Sequence, residues 1–421
     1  MIRSPLKVVS GFPRPVRVLL VGTLVNKVGT FIIPYLTLVL LRDFRLDETR
    51  AARLLLAYGA GSLVSILVGG VLADRLGRRR TLLVSLLGGG SLALAMGLAP
   101  SLSVFVPLLV AFGFLADLYR PAASAVISDL LDSSQRASGY AGLRTAVNLG
   151  WATGTALGGL LADWSWRLLF LGDGLTTLAY GVLVWLEIPE TRTKPHGGAR
   201  GTTTGGAHVN PLRDGIYLQT VAVTFAFTLI FCSHLSVMPL TVTQAAGYPA
   251  VVYGLLAATN GVIIALFEIS IVERLKGFRR LRLAAVGLAL VGLGFGAIGL
   301  RMHWVSFLLA VLILTAGEIL SAPQQMAFVA DWAPPEARGR YLSLYQATWS
   351  VAFAVNPALF LPLHKALGEA RFWAIMPLIA MPGVLVLLRL DRTADRPERL
   401  RGLTKAPPPA PDLLPAITPE G

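Results

Sequence analysis

Apolar stretches of about 20 residues with few or no charges recur along the whole chain, separated by short polar intervals rich in Arg, Gly and Pro. A helix of about 20 residues, rising 1.5 Å per residue, crosses roughly 30 Å of hydrocarbon. In lipid the backbone amides must be paired within the segment, so each stretch reads as helix. The pattern predicts twelve spans, at 16–40, 54–73, 81–100, 103–127, 138–162, 166–186, 216–241, 250–272, 281–300, 304–330, 341–362 and 372–390. The longest polar interval, 187–215, leaves six spans on each side, and its Gly, Thr and Pro content reads as a flexible linker. The expected architecture is an all-α membrane protein: one six-helix bundle over 1–186, a second over 216–390, and a proline-rich, disordered tail over 391–421.

Composition agrees. Hydrophobic residues make up 54% of the chain and charged residues 14%, with a mean hydropathy of +0.66, well above what a soluble domain of this length needs for its core. Of the 37 Lys and Arg residues, 26 fall in intervals on one side and 8 on the other, which predicts that both termini face the cytoplasm of a plasma-membrane protein. That bias also accounts for the net charge of +14, so no nucleic-acid partner is implied. Cys232 is the single cysteine, which rules out an internal disulfide and argues against a cysteine metal site. The sequence has no phosphate-cradling Gly-x-x-x-x-Gly-Lys loop and no His-Glu-x-x-His, so neither ATP-driven transport nor a membrane enzyme is expected, and no cofactor or metal. The first apolar run is long enough to remain as a span, so no cleaved signal is expected.

The halves repeat each other. "LADRLGRRR" (72–80) aligns with "IVERLKGFRR" (271–280), placing Asp74 on Glu273 and Arg75 on Arg274. Pro121, Asp129 and Arg136 align with Pro323, Asp331 and Arg338 at one shared offset of 202. Parallel six-helix repeats imply a central site between two bundles.

"GGVLADRLGRRRT" (69–81) carries Gly70, Asp74, Arg75, Gly77, Arg78 and Arg79 in the spacing Gly-x-x-x-Asp-Arg-x-Gly-Arg-Arg. It resembles the signature loop between the second and third helices of the major facilitator superfamily. The resemblance covers about residues 10 to 392 and implies a monomeric transporter working by alternating access. Asp74 sits at the C-terminal end of its helix, the wrong sign for the local macrodipole, so it needs a partner elsewhere. In the family the equivalent aspartate meets the start of the eleventh helix, here near Gly339 to Tyr341, when the cytoplasmic side is closed. The arginines then pair with acidic helix ends such as Asp129, which makes the loop a conformational switch. The alternative is a topology anchor made of positive charge, which leaves Asp74 unexplained. "GWATGTALGG" (150–159) resembles the family's exporter motif on the fifth helix through Gly150, Gly154, Gly158 and Gly159, with Thr155 in place of the proline. Close helix packing explains the same glycines.

Charges inside spans are costly and mark pathways. Lys27, Asp117 and Glu318 lie at similar depth on spans 1, 4 and 10, which the resemblance places around the cavity, so the three are expected to share it. Glu318 is the first choice of proton carrier, because its flanks offer no cation, and Asp117 is the second. Lys27, Arg120 and Arg144 would be counter-charges or hold an anionic substrate group. A fixed ion pair of Asp117 with Arg120 or Arg144 is the alternative, and Glu268, near its helix end, is expected to snorkel. His234 could relay protons or simply bond a neighbouring helix. Asn26, Phe31, Tyr35, Asn148, Trp151, Phe227, Phe231, Asn260, Gln324, Tyr345 and Trp349 would suit an amphipathic small-molecule substrate. The reading is a proton-coupled exporter of such compounds, resembling the drug:proton antiporter branch, with a proton-coupled importer of a nutrient or metabolite as the alternative.

Overall fold

The structure, a computed structural model, describes residues 10–191, 210–275, 277–334 and 337–394, apart from the side chains of Asp74, Ser133, Ser134, Arg136, Ala137, Ala141, Ile269, Arg338, Gly339, Thr393 and Ala394. Twelve long helices follow in order. They are α1 (Arg14–Asp43), α2 (Glu48–Leu76), α3 (Arg78–Gly97), α4 (Leu102–Leu130), α5 (Ser133–Trp164), α6 (Trp166–Glu187), α7 (Gly215–Ala245), α8 (Ala250–Arg274), α9 (Arg280–Ile298), α10 (Trp304–Trp332), α11 (Arg338–Leu367) and α12 (Glu369–Arg392). Among the described residues, eleven are long and apolar enough to cross a membrane by length and composition. The twelfth, α5, carries Gly, Thr and Arg because it is pressed between α1 and α8. Large apolar side chains such as Leu98, Leu300 and Leu378 face outward, as a lipid-facing surface requires.

Helices α1–α6 form one bundle and α7–α12 the other, and they meet along α2 against α11 and α5 against α8. The repeat extends to irregularities. A wide π-type turn closes α1 at Val39–Asp43 and α7 at Thr241–Ala245, again an offset of 202. Interruptions in the helices are repaired by neighbours, as backbone groups away from water must be. Where α4 breaks at Asp117–Leu118, Ser85 Oγ donates to the Leu115 carbonyl at 2.6 Å and accepts from Tyr119 N at 3.1 Å.

Glycines set the closeness of the helices. A Cβ at Gly154 would stand 2.7 Å from the Lys27 carbonyl oxygen, one at Gly158 2.8 Å from the Tyr35 ring, and one at Gly159 2.7 Å from Val251 Cα in the other bundle. Gly150 likewise lies against Lys27 on α1.

Two boundaries differ from the sequence reading. The interval 187–215 is anchored at both ends, since Ile188 is buried and Asp214 caps α7 by accepting from Tyr217 N at 3.0 Å. The last helix passes 390, because Asp391 is buried and meets Arg279 at 3.1 Å and Arg282 at 2.6 Å. The middle of the linker and the tail beyond 394 lie outside the described residues.

Candidate functional site

Of the cavities between the bundles, one of about 300 Å³ lies between α5 and α8 beside Arg144 and Glu268, and two are bordered by Trp349. The first, about 400 Å³, is lined by Arg144 and Asn148 of α5, Ile264 and Glu268 of α8, Glu318, Ala322 and Met326 of α10, and Tyr345, Gln346 and Trp349 of α11. Glu318 Oε2 accepts from Asn260 Nδ2 at 3.0 Å, and Asn260 also donates to Thr315 Oγ1 at 3.0 Å. Arg144 is ion-paired with Glu268 across the bundle interface. Glu268 therefore turns inward to a partner rather than snorkelling to its helix end. Arg144 also brings to the Glu318 cavity a cation that the flanks of Glu318 lack.

The second, about 260 Å³, holds Tyr58 and Ser62 of α2, Asp117 and Arg120 of α4, Trp151 of α5, Phe231 and His234 of α7, and Trp349 of α11. Asp117 is fixed by Arg120 Nε at 2.7 Å and by a hydrogen bond from Ser62 Oγ. His234 Nδ1 lies 2.6 Å from the carbonyl of Phe231 on its own helix, a local bond. Trp349 borders both cavities.

Lys27, Asp117 and Glu318 do not share one cavity. Lys27 points into the N-terminal bundle, toward α3, α4 and α6, in a small space of about 30 Å³ that also holds Asn26, Thr30, Asp173 and Thr177. The cause is local, because Asn26 donates to Thr177 at 2.8 Å and Gly150 and Gly154 bring α5 onto the other face of α1. Five residues expected to line the cavity line none of these spaces, and one of them, Asn260, sits behind the wall and reaches the cavity only through its bond to Glu318. Phe31 and Tyr35 fill the contact with Gly158, and the Tyr35 hydroxyl donates to the Thr155 carbonyl at 2.6 Å. Phe227 is buried behind Phe231 and Trp349, and Gln324 is buried within α10.

The loop after α2 is built on charge pairs. Gly77 has φ +103°, a conformation only glycine adopts without strain, and the Glu190 carboxyl occupies the place of its missing Cβ. Arg78 Nε lies 3.1 Å from Asp129 Oδ2, and Arg79 Nη2 donates to the Trp185 carbonyl at 2.5 Å. Arg75 is exposed. Gly70 has nothing within 4 Å of where a Cβ would sit. The side chain of Asp74 lies outside the described residues, so its expected contact with Gly339 to Tyr341 is not among those described, although Tyr341 itself is buried against Tyr217 and Asp214.

At the end of the bundles away from the termini, the halves are joined. Asp163 accepts from Ala250 N at 2.8 Å and Val251 N at 3.1 Å, and His364 stands between Glu48 at 3.3 Å and Glu369 at 2.9 Å.

Residues 19–357 match the profile of the Major Facilitator Superfamily. The chain belongs to this superfamily. It is a membrane transporter with antiporter and drug-resistance relatives. One is a Na(+), Li(+), K(+)/H(+) antiporter of Planococcus maritimus, 24% identical across 91% of this chain and 97% of that one. Another is the quinolone resistance protein NorA of Staphylococcus aureus, 23% identical across 60% of this chain and 65% of its own length. The fold is that of a POT family transporter solved with 5-aminolevulinic acid, at a TM-score of 0.76 over 92% of this chain and all (100%) of that one with 15% identity.

Asp173, Asp163 and the Glu48–His364–Glu369 cluster of this facilitator do not stand out in its sequence. Asp173 still meets the criterion that singles out Asp117, a carboxylate inside a span. The other residues stand at helix ends, where a charge looks ordinary until its partner in the opposite bundle is seen.

Proposed function

We propose that this transporter exports small amphipathic organic compounds in exchange for protons, by alternating access to the space between its bundles, with both termini in the cytoplasm. The observation that carries the reading is Glu318, set in the wall of a 400 Å³ cavity beside Trp349 and Tyr345 and bonded by Asn260. When ionised, Glu318 attracts a cationic or dipolar compound that stacks on the aromatic rings. When protonated, it is neutral and releases that compound. Proton and substrate then compete for one group, and mutually exclusive binding is negative coupling between the two ligands, which antiport requires. Arg144 and Arg120 serve as counter-charges, paired with Glu268 and Asp117. Lys27 serves the same role within the N-terminal bundle.

The far end is closed by the Asp163 and His364 contacts, so the cavity is served from the end that carries the termini. Gly70, Asp74, Arg75, Gly77, Arg78, Arg79 and Asp129 belong to the latch of that end; the Arg78–Asp129 pair already stands in this state, so the contact left to form in the opposite state is that of Asp74 with the start of α11. The open space at Gly70 is where α11 would arrive.

The test is transport of a fluorescent cationic dye in proteoliposomes under an imposed pH gradient. Glu318→Gln is expected to abolish pH-driven movement while the protein still inserts; full activity in that variant overturns the reading. Deletion in cells is expected to raise dye accumulation, and lowered accumulation would indicate import. A second reading, monovalent cation/proton antiport, is favoured by similarity to the Planococcus maritimus antiporter. Proton release driven by Na(+) or K(+) in the same liposomes decides for it.

A further inference from the structure

Three charged side chains converge on the 30 Å³ space inside the N-terminal bundle: Lys27, Asp117 and Asp173. All are buried, with 7%, 6% and 5% of their surface exposed. Such a volume holds one or two waters. Among the described residues, Lys27 Nζ makes no hydrogen bond and no ion pair within 4.0 Å; it faces the Tyr119 ring at 5.5 Å. Asp173 accepts from Thr177 Oγ1 at 3.2 Å and, at the long distance of 3.5 Å, from Ile32 N. Two opposite charges are thus buried close together without touching. Each costs several kcal/mol of lost hydration unless water joins them or a proton is exchanged.

Asp117 is the wall between this space and the 260 Å³ cavity, for it lines both. Its carboxylate meets Arg120 and Ser62 on the cavity side. The other groups facing Asp173 are Lys27 from α1, Tyr58 from α2 and Tyr119 from α4, while α3 contributes only the hydroxyl of Ser85. Lys27 is the one cation among them.

We infer that Asp173 and Lys27 form a second proton-binding site, buried within the N-terminal bundle and reached from the between-bundle cavity through Asp117. A proton held on Asp117 passes to water in the small space as the Asp117 O–H bond breaks. That water gives up a proton as the Asp173 O–H bond forms. Asp173 ends neutral, Asp117 regains its negative charge beside Arg120, and Lys27 remains an ammonium throughout. The site does not depend on the role of Glu318 or on the direction of transport.

Infrared difference spectra of the full chain in liposomes, recorded between acid and alkaline buffer, test this. The protonated-carboxyl band of Asp173 is expected to disappear in Asp173→Asn and to persist in Glu318→Gln. Asp173→Glu is expected to move the band, which identifies it even where the Asn variant does not fold. In Lys27→Met the band is expected to survive into more alkaline buffer. Asp117→Leu is expected to slow its response to D2O severalfold, a readout that a purely structural aspartate would not move. The inference is overturned if no titrating band responds to either Asp173 variant, or if the band ignores both Lys27→Met and Asp117→Leu. Loss of the Glu318 band alone bears on the transport reading and not on this site.

Discussion

Arg78 Nε stands 3.1 Å from Asp129 Oδ2, and each residue offsets a misplaced charge in the other's helix. Arg78 opens α3, where the macrodipole is already positive, and Asp129 lies in the last turn of α4, where it is negative. The second bundle repeats the arrangement, with Arg280 opening α9 and meeting Asp331 at the end of α10. The pairs differ in burial, with side chains 16% and 18% exposed in the first and 44% and 68% in the second. Exposed pairs are worth about 0–1 kcal/mol, and a shielded, charge-assisted bond about 1.5–3 kcal/mol. Asp129→Asn is therefore expected to lower the thermal unfolding midpoint in detergent, and Asp331→Asn to leave it nearly unchanged. Equal shifts would remove burial as the deciding factor.

A cap supplied by the opposite bundle should control the first turn of α8. Pro249 precedes that helix and offers no side-chain acceptor, and Asp163 fills the role from the end of α5 at 2.8 and 3.1 Å. Loss of such a cap costs about 1 kcal/mol. Asp163→Ala is expected to speed amide exchange at Ala250 and Val251 by about fivefold, since about 1.4 kcal/mol is tenfold. The first turn of α2, capped within its own chain segment by Asp47, serves as the control and is expected to stay unchanged. Exchange that rises equally at both turns would point to general loosening rather than to a lost cap.

The helical spans and the repeat were legible because they are written locally: apolar runs long enough for a bilayer, and Arg78, Asp129 and their counterparts at one offset. The arrangement of the intramembrane charges was not. Lys27 and Asp117 have the depth of Glu318, but depth does not say which way a side chain points. That direction is fixed by Gly150 and Gly154 drawing α5 onto one face of α1. The Arg144–Glu268 pair spans 124 positions, and a single sequence offers nothing at that range. Tyr35 and Phe31 looked like ligand-stacking rings because aromatic residues suit both a cavity and a helix contact. The glycines opposite them decide for contact.

Two glycines of similar appearance should behave in opposite ways. A Cβ at Gly154 would come within 2.7 Å of the Lys27 carbonyl, whereas Gly70 has open space. Gly70→Ala is expected to stabilise this conformation by up to about 1 kcal/mol, through the helix propensity of alanine. Gly154→Ala is expected to destabilise by about 1–3 kcal/mol through overpacking. If Gly70 lies on the surface that α11 reaches in the other state, Gly70→Leu should also slow dye transport without lowering the unfolding midpoint. Unaltered transport in Gly70→Leu would mean that no helix closes on that face.

The Arg144–Glu268 pair provides the sharpest test of the cavity, because its members differ in exposure: 64% of the Arg144 side chain is accessible and 12% of that of Glu268. Arg144→Gln leaves a mostly buried carboxylate without its cation, the costly half of breaking such a pair, while Glu268→Gln leaves an arginine that reaches solvent. Arg144→Gln is therefore expected to be the more damaging single change, both to thermal stability and to dye transport. The double variant leaves no uncompensated charge and should recover part of the loss. Residues in direct contact couple by about 0.5–3 kcal/mol, so the two effects should fail to add by that amount in unfolding midpoints converted to free energy. Glu318 shares the cavity with Arg144, so transport in the double variant need not recover with stability. Recovered stability with depressed transport would mean that the guanidinium acts on Glu318 as well as on Glu268. Strict additivity in both readouts would mean that the pair is not an energetic unit.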